Sequence, residues 1–193
     1  MTSKPTSSRA PRTPLVLDTR ELGRRPGSMR RMSRSVPAPA DLHVGLVGVA
    51  AGAPIELELR LESVMEGVLV SGTARAPLVG ECARCLEPVT ATVEADLQEL
   101  YAYPDTAGRA DDELPRLAGD LLDLEPMVRD AVVLAVPLAP PCREDCPGLC
   151  PTCGTALASA EADHGHAEPD PRWAALQSLS AAMTERPTEL EES

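Results

Sequence analysis

The chain has 193 residues, a formal net charge of −12 and almost no aromatic side chains: no Phe, two Tyr and one Trp. That length suits one domain with flanking tails or two small ones, with a core built from Leu, Val and Ala. No apolar run approaches the ~20 residues that a membrane helix needs, and the twenty prolines and thirteen glycines imply many turns.

Charge is distributed unevenly. Of the 18 basic and 30 acidic residues, nine and two fall within residues 1–36, which leaves nine against 28 for the rest. A basic arm thus precedes an acidic body, and such a body repels phosphate, which argues against non-specific nucleic-acid binding by the whole protein and favours a basic protein partner. Arg20, Arg24, Arg25, Arg30, Arg31 and Arg34 in the arm are candidates for contact with an RNA backbone; the alternative is a solvated terminal segment. Met1–Arg9 carries no apolar signal-peptide core, so a cytoplasmic protein is expected.

In chain order, residues 1–13 are Ser, Thr, Pro and Arg and read as a disordered tail. Leu15-Val-Leu17 predicts a short strand, followed by a polar turn or helix start at Asp18–Leu22, with Pro26-Gly27 as a break. Residues 42–49 read as a weak, glycine-broken strand. Ile55–Glu62 alternates apolar and charged residues strictly and predicts a strand with one face buried. Val64–Arg75 continues as a second strand with Gly67 and Gly72 as bulge positions. Val89–Leu97 alternates again and runs on to Tyr103, so a hairpin is expected whose tip presents Cys82 and Cys85.

Residues 104–119 read as an acidic loop or linker, with Asp111–Glu113 as a solvated face. Asp123 reads as a helix N-cap with Pro126 in the first turn. Leu124, Val128, Ala131, Val132 and Ala135 recur at helical spacing as far as Val136, and Pro137 stops the helix. This stripe is expected to pack on the sheet. Residues 158–170 read as loop, with His164 and His166 solvated, and His166-Ala-Glu168 as a chance match to a deaminase motif. A short amphipathic helix is expected near 171–179, capped by Asp170 and presenting Trp173, Leu176 and Leu179 to the body or to a partner.

All six cysteines lie in two stretches: Cys82-Ala-Arg-Cys85, and Cys142 to Cys153 with the pattern Cys-x3-Cys-x3-Cys-x2-Cys. Two thiols two residues apart in a tight turn can face one ion, and a second such turn completes the tetrahedron of a structural zinc site. Pro151 stiffens the second turn and Gly154 lets its backbone fold back. The two-turn arrangement favours Cys82, Cys85, Cys150 and Cys153 as ligands, with Cys142 and Cys146 as alternates for either pair, or the last four closing on each other. Arg84 and Arg143 could offset thiolate charge or be ordinary surface residues. Three disulfides are arithmetically possible but belong to secreted chains. A thioredoxin-type motif would open a helix, whereas Cys82 and Cys85 lie between strands.

Several stretches together resemble the bacterial YceD family of large ribosomal RNA subunit accumulation proteins, in its actinobacterial form. They are Leu15–Gly27, Glu81-Cys-Ala-Arg-Cys-Leu-Glu-Pro88, Asp120–Pro126, Val136–Pro140 with the cysteine cluster, and Asp170-Pro-Arg-Trp173. The resemblance spans most of residues 15–179 and implies a role in synthesis, processing or stability of 23S ribosomal RNA. It supplies no catalytic residue. Some members of that family lack part or all of the cysteine set, so the resemblance implies a metal that stabilises the fold and performs no chemistry.

The expected fold is α+β: a small antiparallel sheet or partly open barrel, one packed helix, a zinc turn of the four-cysteine type and disordered termini. The expected boundaries are 1–13 (tail), 14–157 (domain) and 158–193 (tail with the short helix). No paired-carboxylate site, nucleophile–histidine arrangement or phosphate-binding glycine loop is legible. The expected function is non-enzymatic ribosome biogenesis, with ribosomal RNA or a basic large-subunit protein as partner, and no membrane or small-molecule substrate. A zinc-ribbon transcription adaptor and a thiol oxidoreductase are the alternatives.

Overall fold

Residues 13–106, 114–166 and 172 are described by the computed structural model. The chain divides into two compact units, Met1–Cys146 and Pro147–Ser193.

The first unit holds an open six-stranded antiparallel sheet, a separate two-stranded one (Val16–Asp18 with Leu121–Asp123) and a single α-helix among the described residues. Its strands are β1 (Val16–Asp18), β2 (Met29–Pro37), β3 (Leu42–Val44), β4 (Val47–Val49), β5 (Pro54–Ser63), β6 (Gly67–Glu81), β7 (Pro88–Ala102) and β8 (Leu121–Asp123). The helix, α1, is Glu125–Ala135. Strand β6 is the spine: β7 pairs with it along its whole length, while β5 and then β4 occupy its other side. β2 flanks β5 and β3 flanks β4, so the six-stranded sheet has free edges and does not close into a barrel.

Alternation does what the pleat requires. Ile55, Leu57, Leu59 and Leu61 of β5 are buried while Glu56 and Glu58 face water. Val68, Val70, Ala74, Ala76 and Leu78 of β6 and Val93, Ala95 and Leu97 of β7 continue the same core. Helix α1 lays Met127, Val128 and Val132 onto β7 and β3, and its exposed face includes Leu134. The expected stripe is therefore the packed one, and Leu124 is fully buried beside it.

Three local expectations are corrected, and one short strand is added. Gly67 and Gly72 are not bulges, because both ladders of β6 run in unbroken register. They allow close approach instead: a Cβ at Gly72 would stand 2.0 Å from the Glu58 carbonyl oxygen, and one at Gly67 would stand 2.0 Å from that of Tyr101. The N-cap position belongs to Leu124, yet the Asp123 carboxylate still accepts the Glu125 amide at 3.0 Å, which is the chemistry expected of it. Residues 42–49 form two strands, β3 and β4, turning at Gly45-Leu46. Finally, the segment read as linker includes Pro104–Thr106, a single 3-10 turn, and residues just beyond it form β8, which pairs with β1.

Strand β2 was not legible because Met-Arg-Arg-Met-Ser-Arg-Ser-Val-Pro has no clean apolar alternation. It is an edge strand, and charged residues with a proline on an edge discourage pairing with other chains. Residues 1–12, Asp111–Glu113 and, apart from residue 172, the helix expected at 171–179 lie outside the described residues. No helix is long and apolar enough to cross a membrane among the described residues.

Candidate metal centre

The hairpin β6–β7 ends in a turn, Cys82–Glu87, whose backbone is closed by two hydrogen bonds. The Cys82 amide donates to the Glu87 carbonyl at 2.8 Å, and the Leu86 amide donates to the Cys82 carbonyl at 3.0 Å. Leu86 takes φ +62° to let the chain turn back, a left-handed conformation costly to a residue with a side chain. The turn points amides inward: Arg84 donates to Cys82 Sγ at 3.4 Å, and the Cys85 amide also favours its thiolate.

The chain leaving α1 comes to this tip. Pro140 accepts the Ala83 amide at 3.1 Å, and the Cys142 amide donates to Cys82 Sγ at 3.2 Å. Arg84 reaches across to the carbonyls of Cys146 at 3.0 Å and Glu144 at 3.4 Å. Cys82 and Cys146, both buried, stand 3.8 Å apart at sulfur, and Cys85 and Cys142 stand 3.6 Å apart. A tetrahedron with Zn–S of about 2.3 Å has sulfurs about 3.8 Å apart. All four ligand atoms lie within 4.8 Å of one another, so the cluster fits a tetrahedral metal.

The thiols carry opposed pulls. Burial resists charging Cys82, but the amides of Arg84, Cys85 and Cys142 outweigh it and bring the thiol down to about 6. Cys142 is pushed up to about 12, first by the Cys85 thiol beside it and then by burial. For Cys85 the Glu87 amide favours the thiolate, yet burial and the neighbouring thiols of Cys82 and Cys146 raise it. Four sulfurs this close cannot all ionise unless a cation holds them together.

In the second unit, Cys150 and Cys153 form another turn, and the ligand atoms near them are those of His164 and His166. The Cys150 thiol is brought down to about 7, mainly by the amides of Cys153 and Thr152. The expected set of Cys82 and Cys85 with Cys150 and Cys153 is thus not the grouping found. Cys82 and Cys85 gather with the alternates Cys142 and Cys146, because the post-helix segment is hydrogen-bonded onto the hairpin tip. His164 and His166, expected to be solvated, approach Cys153 Sγ at 3.6 and 3.3 Å through Nε2. A Cys-x2-Cys followed within a dozen residues by His-x-His was the available signal.

The model of the large ribosomal RNA subunit accumulation protein YceD family matches residues 70–180, a span that takes in every cysteine of the chain. The chain belongs to the YceD family. It is similar to an uncharacterized protein of Mycobacterium tuberculosis, 50% identical over 175 residues, which is 89% of this chain and 84% of that one. A Mycobacterium leprae protein is 45% identical over 172 residues, covering 88% and 79%. The Bacillus subtilis protein YlbN is 25% identical over 128 residues, covering 66% and 74%. No solved structure matches.

The arm arginines of this YceD-family chain are less free than their sequence suggests. Arg20 is held by Asp18, Arg30 by Glu21 at 2.7 Å, and Arg24 by Asp105 at 3.1 Å while lying over the Tyr103 ring. Arg34 donates to the Pro14 carbonyl at 3.3 Å. Arg25 and Arg31 are exposed and have no carboxylate partner among the described residues. Arg143 pairs with Asp145 at 3.2 Å.

Proposed function

We propose that this YceD-family protein is a cytoplasmic, non-enzymatic factor that supports 23S ribosomal RNA accumulation and large-subunit assembly, with zinc at Cys82, Cys85, Cys142 and Cys146 as a structural element. The family match over residues 70–180 carries the ribosomal part of this reading. The four-thiol cluster supports the non-enzymatic part: a catalytic zinc keeps one position open for water, whereas here the protein supplies four sulfurs. The metal would join the hairpin tip to the segment following α1, which ties the far end of the sheet to its helix.

A basic large-subunit protein fits the partner better than bare RNA. The body is strongly acidic, and Arg20, Arg24 and Arg30 are already neutralised by carboxylates. Arg25 and Arg31 leave room for an added RNA contact. The test is deletion of the gene followed by sedimentation of ribosomal subunits, together with pulldown of the tagged protein and identification of bound protein and RNA. Accumulation of immature large subunits, reduced 23S RNA and recovery of a basic ribosomal protein are expected; unchanged subunit profiles would sink the reading. The oxidoreductase alternative draws on the lowered Cys82 thiol, and the burial of that sulfur speaks against it.

A further inference from the structure

The two Cys-x2-Cys turns are the same object built twice. In the first, the Cys82 amide donates to the Glu87 carbonyl and the Leu86 amide donates to the Cys82 carbonyl; in the second, Cys150 donates to Thr155 and Gly154 donates to Cys150, both at 2.8 Å. Leu86 and Gly154, each following the second cysteine, take φ +62° and +73°. In both turns the leading sulfur is favoured as thiolate by the amides two and three residues on, Arg84 and Cys85 or Thr152 and Cys153. This backbone presents two sulfurs to one ion. Whatever makes the first turn half of a metal site holds equally for the second.

The second turn has its own remaining pair of donors. A bridge between Leu149 and Ala156 and the Leu157 amide on the Gly148 carbonyl at 2.9 Å close the segment on itself. His164 and His166 then meet the Cys153 thiol through Nε2, their rings 5.0 Å apart and nearly perpendicular at 88°. With Zn–N of about 2.0 Å and Zn–S of about 2.3 Å, a tetrahedral ion sets sulfur and nitrogen about 3.5 Å apart. The contacts on Cys153 Sγ are 3.6 and 3.3 Å, and all four ligand atoms lie within 4.8 Å of one another.

We infer that Cys150, Cys153, His164 and His166 form a second, separate site for a tetrahedral divalent metal of borderline softness, zinc first. The chain then carries two ions, one in a set of four thiolates and one in a set of two thiolates and two imidazoles. The charges differ accordingly: the first site is a dianion, the second neutral. The inference stands whether or not the ribosomal reading does, because it uses only donor chemistry and geometry.

The experiment is metal analysis and native mass spectrometry of the full-length protein purified under reducing conditions, with X-ray absorption at the zinc edge. Two zinc ions per chain and a mean of three sulfur and one nitrogen donors per zinc are expected, as one four-thiolate set and one set of two thiolates with two imidazoles require. His164→Ala/His166→Ala should leave one ion, now in an all-sulfur shell, and His164→Cys/His166→Cys should restore two. Cys85→Ser/Cys142→Ser should instead leave one ion with mixed sulfur and nitrogen ligands. A wild-type chain that binds one zinc in an all-sulfur shell, or a His164→Ala/His166→Ala variant that keeps two ions, would overturn the second site. The wild-type stoichiometry decides the matter even if a variant fails to fold.

Discussion

Leu86 and Gly154 occupy the same station in two like-built turns, the residue after the second cysteine, at φ +62° and +73°. Only one of them is the residue that this backbone prefers. A left-handed conformation costs a residue with a Cβ about 1–2 kcal/mol. Gly154→Ala meets no atom within 4 Å, so its cost is conformational: about 1 kcal/mol, and roughly fivefold weaker metal binding at the second turn, measured by chelator competition. Leu86→Gly relieves the same strain but adds glycine's freedom in the unfolded chain, about 0.5–1 kcal/mol. Leu86 is 52% exposed, so little packing is lost. Its stability should stay level with wild type or rise slightly in urea unfolding.

Metal removal should act locally. The unit around the first cluster has a continuous apolar core from Leu15 to Val136 that does not depend on the cysteines. A chelator should therefore speed hydrogen exchange at the amides of Cys82, Leu86 and Cys142 by roughly tenfold or more, the effect of about 1.4 kcal/mol of local stability. Val70 and Leu59, paired deep in the sheet, should keep their protection. Global unfolding on chelation would mean that the metal supports the core itself.

The close approach of β5 to β6 sets a third expectation. A Cβ at Gly72 meets the Glu58 carbonyl oxygen at 2.0 Å, and that oxygen belongs to the backbone of a paired strand and cannot swing aside. Gly72→Ala should cost about 2–3 kcal/mol, near the upper end for overpacking. Gly119→Ala, at φ +69° with nothing within 4 Å, should cost only about 1 kcal/mol. Denaturant midpoints compare the two directly, and equal losses would contradict the packing argument.

Acid titration tests the pairing of Asp18 with Arg20. The Arg20 guanidinium, aided by its own amide, holds the Asp18 carboxyl down at about 2, from an ordinary 3.8. A carboxyl with a depressed folded pKa adds stability that is full above its unfolded value and is lost as pH falls through the folded one. Asp18→Asn should therefore lower stability at pH 5–7 and converge with wild type at about pH 2 and below. The pair is largely exposed, so the gap should be small and should shrink with added salt. A gap that persists unchanged at about pH 2 would show that the Asp18 contribution is not ionic.

Much of this architecture was legible in the residues. Ile55–Glu62 announces β5 because every second side chain is apolar, and Leu124, Val128 and Val132 announce the buried face of α1 at helical spacing. The hairpin presenting Cys82 and Cys85 followed from two alternating runs with a polar turn between them. Strand β2 was not legible, since an edge strand needs only one apolar face and here Arg34 shares that face with Met32 and Val36. The short β8 escaped for a related reason: Leu121–Asp123 is held by its partner β1 and by the Thr19 hydroxyl on the Asp120 carbonyl, not by any local pattern.

By itself the amino-acid sequence determined that thiols in Cys-x2-Cys turns would gather into a set able to hold a metal, since that spacing constrains two sulfurs whatever lies around them. It could not say which turn meets which donors. Ligand identity is a matter of distance in space, and the distances were decided when Pro140 and Cys142 hydrogen-bonded to the hairpin tip and when His-Gly-His closed onto Cys153. Tertiary structure thus turned one expected cluster into two, because each unit folds back on its own cysteines.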